Sequence, residues 1–193
     1  MWIYHFPSSL LKKIGRGTEH RKVVTDQNVH PFLYPVTSIA LAHDGMLHNF
    51  ETMRYDLLKY VKTEYRKYIK GTTDSEWIYA VFLSQLENPK GHFDAFEIIN
   101  AVIATLKILK TVHQQNNIVI KSPVNLFLTN GDFIAATRFC LDYGWKPKDA
   151  PQSTYFTYHS LWYTYGERYG FYENEYKMKG EPLIQALLLR LSH

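Results

Sequence analysis

The spacing of apolar residues changes along this chain, and the order of these changes limits its fold class. A short apolar run at residues 37–42 is typical of a buried strand that ends at residues 43–45. From Phe50 to Tyr68, apolar residues recur every three or four positions, which predicts a helix with one buried face. Helical spacing returns at residues 77–86 and at about 94–113, and strand-like segments follow. One strand, three helices and then more strands predict a layered α+β domain.

Start or stop signals support the first two of these helices. Asn49 is placed to cap the first helix, and Gly71 lies just past its end. Thr73 and Glu76 have the spacing of a capping box, in which the two residues hydrogen bond reciprocally. The third helix is predicted to bury a face made of Phe96, Ile99, Val102, Ile103, Leu106, Leu109 and Val112.

Strands are predicted in the second half of the chain. Residues 124–129 and 133–139 flank Asn130-Gly131, a pair that tolerates positive φ at both positions of a tight hairpin turn. The tyrosine-rich segment 155–165 predicts one or two further strands, after a loop at 147–153. The last ten residues, 184–193, are apolar and are predicted to be helical.

Composition excludes several classes of protein. With 193 residues and 46% apolar content, the chain is expected to form one domain, residues 1–193, with a well-packed core. The net charge of +4 is spread along the chain, so no nucleic-acid partner is expected. No apolar run reaches the ~20 residues that span a bilayer, and no secretory signal is visible, so no membrane association and a cytoplasmic location are expected. The single cysteine, Cys140, excludes an intrachain disulfide and is expected to be a core side chain.

Three short motifs in the first half carry the chemical information. They are Asn-Val-His-Pro-Phe at 28–32, His-Asp-Gly at 43–45 and Gly-Thr-Thr-Asp-Ser-Glu at 71–76. In this order they resemble the substrate-binding half of the class II (type 2) glutamine amidotransferases, which are N-terminal-nucleophile hydrolases. The branch that acts on γ-glutamyl compounds, including the fungal glutathione-degrading subunit, is the most similar. The match is best over residues 27–86, weaker at 125–139 and 160–178, and residues 1–26 are divergent.

This resemblance implies a layered αββα fold and a set of site residues. In the family an N-terminal cysteine attacks the γ-amide carbonyl, with its own α-amino group as base. An Asn-Gly pair stabilises the oxyanion, an aspartate binds the substrate α-ammonium, and an arginine binds its α-carboxylate. Gly45 matches the oxyanion glycine, Asp74 beside Thr73 matches the ammonium-binding motif, and Arg16 (or Arg21) stands near the position of the arginine.

The family mechanism implies no cofactor, and no metal site is expected. His30, His43 and His48 lack the spacing of metal ligands, and the chain has no cysteine pair. His30 is instead expected to pack beside Pro31 and Phe32 as a partly buried side chain. From the residues alone, Asp74 could equally serve as a helix cap, and residues 43–45 could be only a strand-to-turn junction.

Two departures from the family pattern predict impaired catalysis. The chain begins Met1-Trp2 rather than with cysteine, and the internal Cys140 has no free α-amino group to act as base. Asp44 replaces the oxyanion-hole asparagine, and a carboxylate repels a developing oxyanion. Both ends look shorter than in the family, so strands of the first sheet are expected to be missing. A fragment, an error in the gene model and a decayed paralogue all remain open.

The sequence therefore predicts a glutamine amidotransferase type 2-like domain related to hydrolases of γ-glutamyl amides. Its expected residual capacity is weak binding of a glutamate-like group through Asp74, Gly45 and Arg16. The alternative is a non-catalytic pseudoenzyme or interaction subunit of a γ-glutamyl-hydrolysing complex, with a protein partner. A third reading is that the domain now binds an unrelated small molecule.

Overall fold

The computed structural model describes residues 26–91, 93–141, 168–179 and 186–190. These residues contain a mixture of helices and a mainly antiparallel sheet, which agrees with the predicted α+β class. The helices are α1 (Phe50–Leu57), α2 (Thr63–Arg66), α3 (Asp74–Gln85) and α4 (Ala95–Gln115). The strands are β1 (Ala40–Gly45), β2 (Ser122–Thr129), β3 (Ile134–Arg138), β4 (Cys140–Leu141), β5 (Arg168–Tyr172), β6 (Glu175–Lys179) and β7 (Ala186–Arg190).

The main sheet has the strand order β1-β2-β3-β7, and β4 pairs with one end of β2. All its pairs are antiparallel except β3 with β7, which run parallel. Strands β5 and β6 form a separate antiparallel hairpin. Asp44 on β1 lies directly opposite Asn125 on β2. The end of β1 therefore brings residues 43–45 next to the polar part of β2.

Helix α3 lies at the centre of the described core. It packs against α1, α2, α4 and β1, and nearly all of its side chains are buried. Burying one large aliphatic or aromatic side chain contributes about 1.5–3 kcal/mol, so this helix is a major source of stability. No helix among the described residues combines the length and apolar character needed to cross a membrane.

The prediction of one continuous helix from Phe50 to Tyr68 is wrong. Helix α1 ends at Leu57, a 3-10 turn covers Leu58–Tyr60, and Val61 is extended. After the break, the Lys62 backbone N–H donates to Ser84 Oγ at 2.9 Å, and its Nζ donates to the Leu86 carbonyl at 2.8 Å. The chain is thus tied to the end of α3 at this point. The apolar spacing still marks the residues that face the core, which are Phe50, Met53, Leu57, Val61 and Tyr65.

Asn49 and Thr73 precede their helices as predicted, but only Thr73 makes the expected side-chain capping bond. Asn49 precedes α1 as predicted, but it has φ 54° and its side chain makes no capping bond. Its carbonyl oxygen accepts the Thr52 N–H at 3.0 Å instead. Thr73 and Asp94 begin α3 and α4, and each side chain accepts a backbone N–H three residues later.

The hairpin of β2 and β3 is confirmed, whereas its predicted two-residue turn is wrong. Thr129 pairs with Ile134, so four residues form the loop, and Gly131 alone among them has a positive φ. The Asn130 side-chain oxygen accepts the N–H groups of Asp132 and Phe133, which stabilises this wider loop. The tight turn occurs elsewhere: Glu173 and Asn174, both with positive φ, join β5 to β6.

The predicted helical tail is also wrong where the structure describes it. Ala186–Arg190 forms β7 and pairs with β3 in parallel. A short apolar run fits a buried strand as well as a helix, and the unpaired edge of β3 decides between them. Cys140 is only partly buried, in the two-residue strand β4, rather than in the core. The predicted loop at 147–153 and strands at 155–165 lie outside the described residues.

Helix α4 matches the predicted segment but faces the core at a different angle. Phe96 is 76% exposed, and Ile99 and Ile103 are only partly buried. Four residues of the predicted face are buried, namely Val102, Leu106, Leu109 and Val112. The rest of the buried face consists of Ile98, Ala101, Thr105 and His113. The sequence period was correct, but it does not say which side of a wide apolar stripe meets the neighbouring elements.

We expect two truncations on α4 to differ sharply. Leu109→Ala removes a fully buried side chain and should lower the free energy of unfolding by about 2–5 kcal/mol. Phe96→Ala, the matched control on the same helix, should change it by less than about 0.5 kcal/mol. Urea denaturation of both variants measures this difference. Equal losses would contradict the orientation of α4.

Candidate functional site

The three sequence motifs meet at the N-terminus of α3. From residues 28–32, Asn28 binds the loop before the helix, where its Oδ1 accepts the Thr72 N–H at 2.8 Å. At the end of β1, His43 Nδ1 lies 2.9 Å from Ser75 Oγ. Just beyond β1, the Leu47 N–H donates to Asp74 Oδ2 at 2.7 Å. Segments far apart in sequence therefore form one polar junction.

Asp74 is the first residue of α3 and is only 3% exposed. Its Oδ1 accepts the Ser75 N–H at 3.0 Å, and its Oδ2 accepts the Leu47 N–H at 2.7 Å. Hydrogen bonds to an ionised carboxylate are stronger than neutral ones, and the positive end of the helix dipole adds to them. Asp74 therefore attaches the turn that follows β1 to the start of α3.

Only one of the two hydrogen bonds of the predicted capping box forms. Thr73 Oγ1 accepts the Glu76 N–H at 3.4 Å, as predicted. The Glu76 carboxylate accepts the N–H groups of Lys70 at 2.9 Å and Gly71 at 2.6 Å, rather than returning to the Thr73 N–H. Burial raises the pKa of Glu76, and these two backbone N–H groups oppose that shift. Glu76 thus fixes the loop that leads into the helix.

Gly45 lies where the backbone leaves no room for a side chain. Its φ is +152°, and a Cβ atom there would collide with the Pro123 carbonyl oxygen. That oxygen accepts the Met46 N–H at 3.0 Å, which closes the turn onto β2. The same absent Cβ would lie 2.8 Å from His43 Nε2. The glycine is therefore required by packing, independently of any role in binding.

Asp44 has an amide neighbour that sequence reasoning did not identify. Asp44 is exposed, and the buried Asn125 donates from Nδ2 to Asp44 Oδ2 at 3.4 Å. Asn125 Oδ1 accepts the Phe139 N–H at 3.3 Å, between β3 and β4. Only the register of β1 against β2, which pairs Asp44 with Asn125, reveals this contact, and the sequence alone does not give that register.

His43 and Ser75 were also not singled out as site residues. Both are buried, and their contact joins β1 to α3. His30 is partly buried and makes an edge contact with the Phe32 ring, at 5.1 Å between ring centroids, as expected. Arg16 and Arg21 lie outside the described residues. Within the described part of the chain, no group of three or more His, Cys, Asp or Glu side chains could hold a metal ion.

A second buried cluster holds the same turn from the other side. His113 at the end of α4 is fully buried, and its Nε2 lies 3.3 Å from Ser122 Oγ. Ser122 Oγ in turn accepts the His48 N–H at 3.0 Å. Burial lowers the pKa of His113, a hydrogen bond with the Ile120 backbone opposes this shift, and the nearby His48 adds to the lowering. Residues 46–48 are thus fixed between Asp74 and Ser122.

Comparison with curated proteins confirms the resemblance to glutamine amidotransferases. One relative is the probable glutamine amidotransferase DUG3 of Saccharomyces cerevisiae, 30% identical over 128 residues. The match covers 61% of this chain and 35% of the relative, so the chain corresponds to about a third of that protein's length. No family model matches.

A solved structure also resembles this chain. It is that of a glutamine aminotransferase class-II domain protein from Silicibacter pomeroyi, with a TM-score of 0.48 and 22% sequence identity. The match covers 62% of this chain and 51% of that one.

We expect Gly45→Ala to be much more damaging than Gly131→Ala. Both glycines have positive φ, so alanine at either position should cost about 1–3 kcal/mol of stability. Only position 45 adds a collision with backbone, which should cost about 1–3 kcal/mol more, whereas position 131 faces open space. Chemical denaturation compares the two variants, and equal losses would contradict the close packing of Gly45 on Pro123.

Acid should weaken the fold through His113. Because its pKa is lowered from the ordinary value of 6.5, its contribution to stability is complete above that value and is lost as pH falls through the folded-state pKa. Between about pH 7 and pH 5, the wild type should therefore lose stability more steeply than His113→Gln. Urea midpoints across this range measure both slopes. Parallel slopes would show that His113 does not titrate in this way.

Proposed function

We propose that residues 1–193 form a glutamine amidotransferase type 2-like domain that binds the glutamyl head group of glutamine or of a γ-glutamyl amide. The sequence match to a probable glutamine amidotransferase supports this assignment. The observation that carries it is the 2.7 Å bond from the Leu47 N–H to Asp74 Oδ2. This bond holds the predicted ammonium-binding carboxylate beside the turn that contains the predicted oxyanion glycine, Gly45.

In this proposal each site residue has a distinct role. Asp74 pairs with the α-ammonium group, an interaction suited to an ionised carboxylate at a helix N-terminus. The backbone at Gly45 faces the γ-carbonyl group, and Arg16 binds the α-carboxylate. Thr73 keeps the helix start in place through its bond with the Glu76 N–H. A layered αββα arrangement and a cytoplasmic location belong to the same proposal.

We further propose that the domain binds this group without turning it over efficiently. Asp44 stands where the family has an amide donor, and loss of one oxyanion donor typically costs about 10²–10³ in turnover. An exposed carboxylate there adds repulsion of the developing negative charge. Asp44 is also the observation that favours the second candidate, a non-catalytic interaction subunit of a γ-glutamyl-hydrolysing complex.

Calorimetric titration with glutamate and glutamine tests the binding site. We expect saturable binding by the wild type and binding at least about 30-fold weaker for Asp74→Asn, because losing a buried charge partner costs roughly 2 kcal/mol or more. Asp94→Asn is the matched control, since Asp94 is also an aspartate at a helix start, that of α4. It should bind like the wild type.

Two outcomes would overturn these proposals separately. Absence of glutamate and glutamine binding by the wild type, or equal binding by Asp74→Asn, would refute the site. Release of glutamate from glutamine or glutathione by the wild type at enzyme-like rates would refute the impaired catalysis. A response to neither ligand, together with binding of a chemically different small molecule, would support a changed ligand class.

A further inference from the structure

Three buried side chains at the junction of β1 and α3 form a continuous polar chain. His43 Nδ1 lies 2.9 Å from Ser75 Oγ, and Ser75 Oγ lies 3.5 Å from Asp74 Oδ1. The exposed fractions of the three residues are only 6%, 5% and 3%. The chain begins at the proposed ammonium-binding carboxylate, and its far end, His43 Nε2, lies against Gly45. It therefore joins the two elements of the proposed site through side chains.

The direction of the protons in this chain follows from its chemistry. Ser75 has one hydroxyl proton, and two acceptors compete for it, His43 Nδ1 and Asp74 Oδ1. The carboxylate can only accept, and its charge acts on the hydroxyl dipole with little screening in a buried setting. If the hydroxyl proton points to Asp74, the remaining bond at 2.9 Å must be donated by His43 Nδ1–H, at the usual distance for an N–H donor.

A second contact supports the same direction. The Ser75 backbone N–H already donates to Asp74 Oδ1 at 3.0 Å, so backbone and side chain of one residue converge on one carboxylate oxygen. The carboxylate is held from its other side by the Leu47 N–H. The Asp74 charge is thus fixed in position, and Ser75 is the group that can relay its effect to the imidazole.

We propose that Asp74 and Ser75 hold His43 as the Nδ1–H tautomer, and that His43 and Ser75 are positioning residues for the glutamyl site. The neutral imidazole then carries its lone pair on Nε2, the atom that lies against the Gly45 turn. Binding of a charged ligand group at Asp74 would thus affect the surroundings of the Gly45 backbone through the His43 tautomer. The role in ligand binding rests on the proposed function, whereas the tautomer does not.

Nitrogen-15 NMR of the imidazole measures the tautomer directly. Spectra are recorded at about pH 8, well above the usual histidine pKa of about 6.5, and His43→Gln identifies the resonances of position 43. The wild type should show the proton on Nδ1. Ser75→Ala and Asp74→Asn should both shift the population towards Nε2–H, because each removes part of the chain that orients the proton.

Ser84→Ala provides the matched control. Ser84 is a buried serine on the same helix, whose hydroxyl donates to the Ala80 carbonyl at 2.7 Å, so its loss is a comparable structural change. It should leave the His43 tautomer unchanged. Glutamate binding should weaken about two- to tenfold in Ser75→Ala, the effect of one hydrogen bond, and stay unchanged in Ser84→Ala.

The outcomes separate this proposal from the proposed function. A wild-type His43 with its proton on Nε2, or a tautomer that both Ser75→Ala and Asp74→Asn leave unchanged, would overturn the relay. If the Nδ1–H tautomer is found but glutamate does not bind, the relay stands and the glutamyl site fails. If glutamate binds but Ser75→Ala binds it equally well, the positioning role is refuted.

Discussion

The hydrogen bond from the Leu47 N–H to Asp74 Oδ2 is the contact on which the described site depends. At 2.7 Å and almost fully buried, it ties the turn after β1 to the first residue of the central helix α3. A buried carboxylate is stable only when its oxygens are hydrogen-bonded, and this turn supplies one of the donors. The position of the turn and the start of α3 are therefore coupled, because moving the turn would break its hydrogen bond to a buried carboxylate.

Sequence predicted helices α3 and α4 well because their signals are local. Thr73 caps α3 as predicted, α4 begins next to the predicted start at about residue 94, and the apolar period follows each helix. The failures have tertiary causes. The first predicted helix is interrupted in a region where the Lys62 N–H donates to Ser84 Oγ on α3, a contact that the local sequence does not reveal. Residues 186–190 become a strand because β3 offers a partner edge.

The contacts among the candidate site residues were only partly predictable from sequence, for similar reasons. The motifs led to Asp74 and Gly45, and the structure brings the turn after Gly45 into contact with Asp74. His43, Ser75 and Asn125 were missed because their importance comes from what they face across the sheet or on the neighbouring helix. Strand register and helix rotation determine those contacts, and neither is encoded in the spacing of residues along one segment.

The pairing of Asp44 with Asn125 has a consequence for the chemistry of position 44. The Asn125 amide is fixed at its oxygen by the Phe139 N–H, so its nitrogen must point towards β1. The Asn125 Nδ2 group needs an acceptor oxygen at position 44, and both aspartate and asparagine have one. If position 44 were asparagine and its oxygen accepted this bond, its NH₂ group would face away from β2. Asn125 on β2 would therefore orient an asparagine at position 44 with its amide nitrogen outward, whereas this chain has an aspartate there.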